Sequence, residues 1–148
     1  MSKLYKLAII GFGNVGQGFT KILADKYELL NERFGVDIRI VAVCDLYKGS
    51  IADPDGLDPN MLISSIELDG NLKSMDAKNV GWNAEETIAK SGADILIELA
   101  YTDLKTGEPA LSNVKQALRN SMHVSMTNKG PVALAFPELR DIATKNNV

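Results

Sequence analysis

Near its N-terminus the chain changes from an apolar run to a glycine-rich turn and then to a helical pattern. The stretch is "AIIGFGNVGQGFTKIL", residues 8–23, and its first three glycines are Gly11, Gly13 and Gly16. A G-x-G-x-x-G sequence is informative when it follows a strand and opens a helix, and both conditions hold here. This turn constrains the fold more than any other feature, because it requires a strand and a helix that pack closely together.

Each glycine has its own role in a turn that binds a dinucleotide. Gly11 permits the tight turn, Gly13 lets the backbone approach a pyrophosphate, and Gly16 lets the helix lie close to the strand. The N–H groups around Asn14 and Val15 then face the phosphates at the positive end of the helix dipole. A turn in which the same glycines only allow close packing, without a ligand, stays open as the alternative.

The rest of the chain alternates between apolar strands and amphipathic helices, a pattern typical of a parallel sheet covered on both faces. Strands are predicted over residues 5–11, 36–45, 93–100 and 123–128. Helices are predicted over residues 15–34, 59–66, 83–92, 108–120 and 136–147. The segment between residues 46 and 83 is less regular, and "ADPDGLDPN" within it predicts a loop. We expect an α/β fold of the Rossmann type, with a doubly wound, mostly parallel sheet and helices on both faces.

The acidic residue at the end of the second predicted strand is the second sign of a dinucleotide. A carboxylate at this place can accept hydrogen bonds from the ribose hydroxyls and repels a 2′-phosphate, so Asp45 favours NAD over NADP. Lys48, three residues later, would soften that preference. An aspartate at a strand end is also a common turn former, and that alternative stays open.

Size and composition exclude several other classes of function. The 148 residues are the size of one domain, and we expect a single dinucleotide-binding domain over residues 1–148. The 16 basic and 19 acidic residues give a net charge of −3 without a basic stripe, which argues against a nucleic-acid partner. No run approaches the ~18 apolar residues of a membrane span, and no group of residues has metal-ligand spacing. The single cysteine, Cys44, cannot form an internal disulfide, and we find no signal segment in the sequence. We therefore expect a cytoplasmic protein.

Two further segments make the sequence specific. "ELAYTDLKTGEPA" (residues 98–110) and "HVSMTNKGPVAL" (residues 123–134), together with "GFGNVGQG", resemble the nucleotide-binding domain of homoserine dehydrogenase. This family interconverts L-homoserine and L-aspartate 4-semialdehyde with NAD or NADP, in threonine, methionine and isoleucine biosynthesis. The resemblance runs from about residue 6 to residue 146, and it implies an NAD(P)-dependent oxidoreductase.

The resemblance also implies roles for residues on the nicotinamide side. Asn128 and Lys129 are expected beside the nicotinamide, and Lys129 is the expected catalytic residue, because oxidation of an alcohol must remove a hydroxyl proton while hydride leaves carbon. Ala100, Tyr101 and Thr102 are expected to contact the nicotinamide ribose through their backbone.

The chain departs from the family's pattern at two positions. Many relatives have a hydroxyl residue where this chain has Ala100, so one side-chain hydrogen bond would be missing. A basic residue often stands where this chain has Cys44, directly before the strand-end aspartate, and its absence again favours NAD.

Glu98 lies within an apolar predicted strand. We expect it to be buried with a partner that the sequence does not identify.

In the resembled family, a second domain supplies most of the homoserine site, including a further lysine and acidic residues, and most of the dimer interface. That domain has no counterpart in the 148 residues, and the last predicted helix looks cut from a longer fold. We therefore expect this chain to bind cofactor without turnover, and the full-length protein to be a homodimer. Two alternatives remain: a free-standing dinucleotide-binding or redox-sensing module, and a dehydrogenase for another small hydroxy or semialdehyde substrate.

Overall fold

The first strand, β1 (Lys3–Ile10), is an inner strand of the sheet, and its residues 7–10 are buried on both faces. Leu7 and Ile9 belong to the core on one face, and Ala8 and Ile10 belong to the core on the other. A computed structural model describes residues 2–148. A strand buried in this way reads as a continuous apolar run, which is why the sequence signal was strong.

Four of the six strands form the parallel part of the sheet. β2 (Val36–Asp45) and β5 (Ile95–Glu98) flank β1, and β6 (His123–Met126) pairs with β5, all in parallel register. The chain therefore winds in one direction from β1 to β2 and in the other from β1 to β5. In open sheets of this kind, ligands bind beyond the carboxyl ends of the strands at such a switch point.

The helices cover both faces of the sheet, as predicted. α1 (Asn14–Phe34) and α2 (Pro59–Asp69) pack on the core that contains Leu7. The opposite core receives side chains from α3 (Ala84–Lys90) and α4 (Ala110–Arg119). The last helix, α5 (Gly130–Lys145), packs against α4 through Leu139.

Two short antiparallel strands were not predicted. β3 (Gly49–Ala52) pairs with β2, and β4 (Asn79–Val80) pairs with β3, which gives the sheet order β4-β3-β2-β1-β5-β6. The sequence predicted only that this segment is less regular, because strands this short carry no periodicity of their own. The sheet nonetheless is mostly parallel.

The prediction of a helix over residues 136–147 agrees with the part of α5 that follows a break at Ala135. The helical turn over residues 130–134, before the break, was not predicted, and Pro137 lies in the first turn after it. Pro137 has no N–H to donate, and the backbone of Ala135, two residues earlier, leaves the helical region. Across residues 2–148, none of the helices has the length and apolar character needed to cross a membrane.

Candidate functional site

The turn between β1 and α1 has the close contacts that its glycines predict. Gly11 has a φ of +92°, and a Cβ built there would lie 2.6 Å from the backbone N of Ala100. A Cβ on Gly16 would lie 2.7 Å from the carbonyl oxygen of Gly11. Both distances are shorter than any side chain tolerates, so the tight turn and the close helix packing are confirmed.

Gly13 differs from its two neighbours because it faces open space. No atom lies within 4 Å of a Cβ built at this position. Gly13 is the N-cap of α1, and no side chain caps the helix. The N–H groups of Asn14, Val15 and Gly16 therefore lack the side-chain acceptor that usually satisfies a first turn. An uncapped helix start beside an open glycine fits the pyrophosphate of a dinucleotide.

Asp45 lies at the carboxyl end of β2 and is bound to the glycine turn. Its Oδ2 accepts a hydrogen bond from the backbone N–H of Phe12 at 2.7 Å. Its Oδ1 accepts from the N–H groups of Tyr47 and Lys48, each at 2.9 Å. Burial alone would raise the pKa of Asp45, but these three donors and the charge of Lys48 outweigh it and lower the pKa.

The Asp45 carboxylate thus forms the turn, as one of the two sequence interpretations held, and still has acceptor capacity. An ionised carboxylate offers about four lone-pair positions, of which three are used by backbone donors. Asp45 is only partly buried. A ribose hydroxyl can therefore still reach it.

On the other side of β1, the end of β5 and the segment after β6 are joined by hydrogen bonds. Asn128 donates through Nδ2 to the carbonyl oxygen of Ala100 at 2.7 Å. The Ala100 N–H donates to Oε1 of Glu98 at 2.9 Å. The structure thus brings Ala100 and Asn128 together, as the resemblance implied. The N–H of Ala100 already donates to Glu98. The carbonyl oxygen of Ala100 accepts from Asn128 and has a second lone pair, so it is the backbone group that can make a further contact.

The start of α5 holds Lys129 and lies beside Thr102. Lys129 is the N-cap of α5, and its side chain is exposed and in no salt bridge within the described part of the chain. The next residue, Gly130, is so close to Thr102 that an added Cβ would lie 3.0 Å from the Thr102 methyl group. The buried Thr102 hydroxyl has no hydrogen-bond partner within residues 2–148, while Tyr101 is exposed.

Two residues of this region were not assigned to the site from the sequence. Glu98 is fully buried, and its Oε2 accepts a hydrogen bond from Nδ2 of Asn113 in α4 at 2.8 Å. Burial raises the pKa of Glu98, against the lowering effect of the Asn113 and Ala100 donors. The signal for Glu98 was a single carboxylate in an apolar strand, whereas nothing in the sequence of α4 distinguished Asn113.

No cluster of three or more potential metal ligands occurs in residues 2–148.

The most similar curated sequences include several homoserine dehydrogenases. An NAD(+)-dependent homoserine dehydrogenase of Pseudomonas canavaninivorans is 37% identical over 144 residues, which cover 97% of this chain and 41% of the relative. A homoserine dehydrogenase of Methanocaldococcus jannaschii is 34% identical over 142 residues, covering 96% of this chain and 42% of the relative. The chain thus spans about two fifths of the length of these relatives. No protein-family model matches it.

Solved structures give the same result for the fold. A hyperthermophilic archaeal homoserine dehydrogenase in complex with NADPH has a TM-score of 0.82 at 25% identity, covering 98% of this chain and 42% of that one. A putative homoserine dehydrogenase of Archaeoglobus fulgidus has a TM-score of 0.77 at 28% identity, covering 97% of this chain and 40% of that one. The resemblance noted in the sequence is therefore confirmed: over nearly its whole length this chain is similar to part of a homoserine dehydrogenase, and it has the Rossmann-type fold of the nucleotide-binding domain in those structures.

Proposed function

We propose that this chain is the dinucleotide-binding part of an NAD(P)-dependent homoserine dehydrogenase, an oxidoreductase acting on a CH–OH group. The observation that carries the proposal is the uncapped first turn of α1 beside the open position at Gly13. Asp45 flanks this turn on the side of β2, and Asn128 and Lys129 follow β6 on the other side of β1. A dinucleotide that lies across the switch point would contact Asp45 on the side of β2, and Asn128 and Lys129 on the other side.

NAD is the favoured cofactor, with NADP as the second candidate. Asp45 is anionic at neutral pH, as an aspartate with an ordinary or lowered pKa is, and a carboxylate at the ribose repels a 2′-phosphate. Cys44 before it adds no positive charge, while Lys48 follows the turn and opposes the preference. One relative is described as NAD(+)-dependent and one related structure contains NADPH, so both cofactors are found among similar proteins.

Lys129 is the proposed catalytic residue. When bound, the dinucleotide supplies the hydride acceptor. Lys129 stands at the N-terminus of α5, where its charge adds to the positive end of the helix dipole. The neutral amine can accept the hydroxyl proton of the substrate, and the ammonium group so formed, together with the helix N-terminus, stabilises the negative charge that develops on the oxygen.

Substrate binding and turnover belong to the longer protein. The relatives act on homoserine by name and are more than twice as long as the aligned segment, since it covers only 41% and 42% of them. We propose that the remainder supplies the homoserine site and the homodimer interface, and that this chain alone binds cofactor without turnover. The whole protein would act in the cytoplasm, in threonine, methionine and isoleucine biosynthesis, without a nucleic-acid or membrane partner.

Calorimetric titration of the chain with NAD and with NADP, followed by a homoserine oxidation assay on the same sample, tests this function. We expect saturable binding of a dinucleotide, tighter for NAD, and no turnover. Binding without turnover is also what a free-standing sensor would give, so the assay is repeated with a protein of the relatives' full length. Failure of both dinucleotides to bind the folded chain would contradict the proposal, and so would binding by a full-length protein that does not oxidise homoserine.

A further inference from the structure

The carboxyl group of Glu98 is buried inside the sheet without a cationic partner. Its side chain is completely inaccessible to solvent, and none of the salt bridges between residues 2 and 148 includes it. A buried carboxyl group is costly unless hydrogen bonds satisfy it. Glu98 ends β5, the strand beside the switch point, so this buried carboxyl group lies next to the candidate site.

Three segments of the chain meet at this one carboxyl group. Oε1 accepts the backbone N–H of Ala100 at 2.9 Å and has a longer contact of 3.5 Å with Nδ2 of Asn128. Oε2 accepts a hydrogen bond from Nδ2 of Asn113 at 2.8 Å. Glu98 therefore connects the turn after β5, the helix α4 and the segment after β6.

These contacts determine which way the amide of Asn128 points. Its Nδ2 faces two acceptors, the carbonyl oxygen of Ala100 at 2.7 Å and Oε1 of Glu98. Only the NH2 side of an amide can donate, so the amide cannot be turned around without placing oxygen against oxygen. Oδ1 of Asn128 is left on the other side, and no hydrogen bond within residues 2–148 uses it.

We propose that Glu98 is a positioning residue for the nicotinamide half of the cofactor, acting through the turn at Ala100 and through Asn128. It holds the Ala100 backbone so that the carbonyl oxygen can fix the Asn128 amide, and Asn128 then presents Oδ1 to the carboxamide NH2 of the nicotinamide ring. This inference rests on the proposed dinucleotide binding, and it adds a residue that contacts no cofactor itself.

Comparison of two ligands separates positioning from general damage to the fold. NADH has the nicotinamide, whereas ADP-ribose has the rest of the dinucleotide without it. For Glu98→Gln we expect roughly tenfold weaker binding of NADH, about the loss of one hydrogen bond, and an unchanged affinity for ADP-ribose. Glu28→Gln, which removes one exposed carboxylate from α1, is the matched control and should leave both affinities unchanged.

A second substitution tests whether Glu98 acts through Asn128. Asn128→Ala should cause the same selective loss, and adding Glu98→Gln to it should change NADH binding no further, since the shared contact is already gone. Equal weakening of both ligands by Glu98→Gln, or additive effects in the double variant, would overturn the positioning role. If the unchanged chain binds neither ligand, the proposed function itself fails, which is a distinguishable result.

A measurement on the unchanged chain covers the case in which Glu98→Gln does not fold. The side-chain NH2 of Asn128 should exchange slowly with solvent in NMR spectra and should shift when NADH, but not ADP-ribose, is added. Rapid exchange of this group, or an equal shift with both ligands, would contradict the proposal.

Discussion

Asp45 and Glu98 end the two strands that flank β1, yet the protein shifts their pKa values in opposite directions. Burial raises the pKa of both groups, but at Asp45 three backbone N–H donors and Lys48 outweigh it. At Glu98, fully buried, the donors from Asn113 and Ala100 do not. Asp45 is the carboxylate that we propose for the ribose, and Glu98 is the one that we propose to position Asn128.

Opposite pKa shifts predict opposite effects of pH on stability. The pKa of Asp45 is lower in the folded state, so its contribution is present above the unfolded pKa near 3.8 and is lost as pH falls through the folded value. The pKa of Glu98 is higher in the folded state, so its contribution is present below the unfolded pKa near 4.5 and is lost as pH rises through the folded value.

Urea unfolding from pH 2.5 to 8 measures both effects against neutral variants. Compared with Asp45→Asn, the unchanged chain should lose free energy of unfolding as the pH falls toward 2.5. Compared with Glu98→Gln, the unchanged chain should lose free energy of unfolding as the pH rises toward neutrality. Parallel pH profiles for the unchanged chain and either variant would show that the corresponding group does not titrate as described.

Asp45 also determines the expected cofactor preference. Asp45→Ala should weaken NAD binding by about 1.5–3 kcal/mol, as for hydrogen bonds to a charged group, and should weaken NADP binding less because the 2′-phosphate is no longer repelled. The ratio of the two Kd values is the quantity to measure, since damage to the turn affects both. Asp25→Ala, an exposed change in α1, is the control. An unchanged ratio would remove Asp45 from the ribose site.

The residues of the glycine turn were predictable because each follows from local backbone geometry. Glu98 was noticed as an isolated carboxylate, but its partners lie in α4 and after β6, brought together only by the fold. Asn113 occupies an otherwise ordinary amphipathic helix. Contacts of this kind depend on tertiary packing, which a local pattern does not contain.

At the scale of elements, the start of α1 combines Gly16, which close packing requires, with Gly13, which we expect ligand binding to require. Gly16→Ala would bring Cβ to 2.7 Å from the Gly11 oxygen, so we expect a loss of about 1–3 kcal/mol in the free energy of unfolding. Gly13→Val has open space around it and should keep most of that free energy, yet it should abolish dinucleotide binding by filling the approach to the pyrophosphate.

Urea unfolding and dinucleotide titration of both variants test this division. Gly18→Ala in the same helix, also open at its Cβ, is the control and should keep both stability and binding. A stable Gly13→Val variant that binds as tightly as the unchanged chain would place the ligand elsewhere.

The parallel strands and the helices that follow them were predicted from the sequence, and the two short antiparallel strands were not. β1, α1 and β2 have clear periodicity or continuous apolar character, and β2 was predicted with its observed bounds. β3 and β4 have four and two residues, and β3 forms on the edge of β2 while β4 forms on the edge of β3. At α5, the helix predicted over residues 136–147 corresponds to the part after the break at Ala135, and the turn before the break was missed.

For the molecule as a whole, the sheet order separates the two halves of the candidate site. Asp45 follows β2 on one side of the switch point, while Asn128 and Lys129 follow β6 on the other. In a protein of the relatives' full length, Lys129→Ala should lower kcat for homoserine oxidation roughly 10²- to 10⁴-fold, as expected for a lost acid–base group, with little change in cofactor Kd.

Steady-state kinetics and cofactor titration of the same samples check that prediction. Lys105→Ala removes another exposed lysine, from the loop before α4, and should leave kcat unchanged. Weakened cofactor binding with an intact kcat would make Lys129 a binding residue instead of a catalytic one.

We expect the chain to bind a dinucleotide at the start of α1, and NMR titration of the ¹⁵N-labelled chain with NADH tests this site directly. The backbone amide resonances of Asn14, Val15 and Gly16 should shift most as the uncapped N–H groups of α1 acquire phosphate acceptors, with a smaller change at Asn128. Saturable shifts confined to another part of the surface, or no shifts in the folded chain at millimolar NADH, would contradict it.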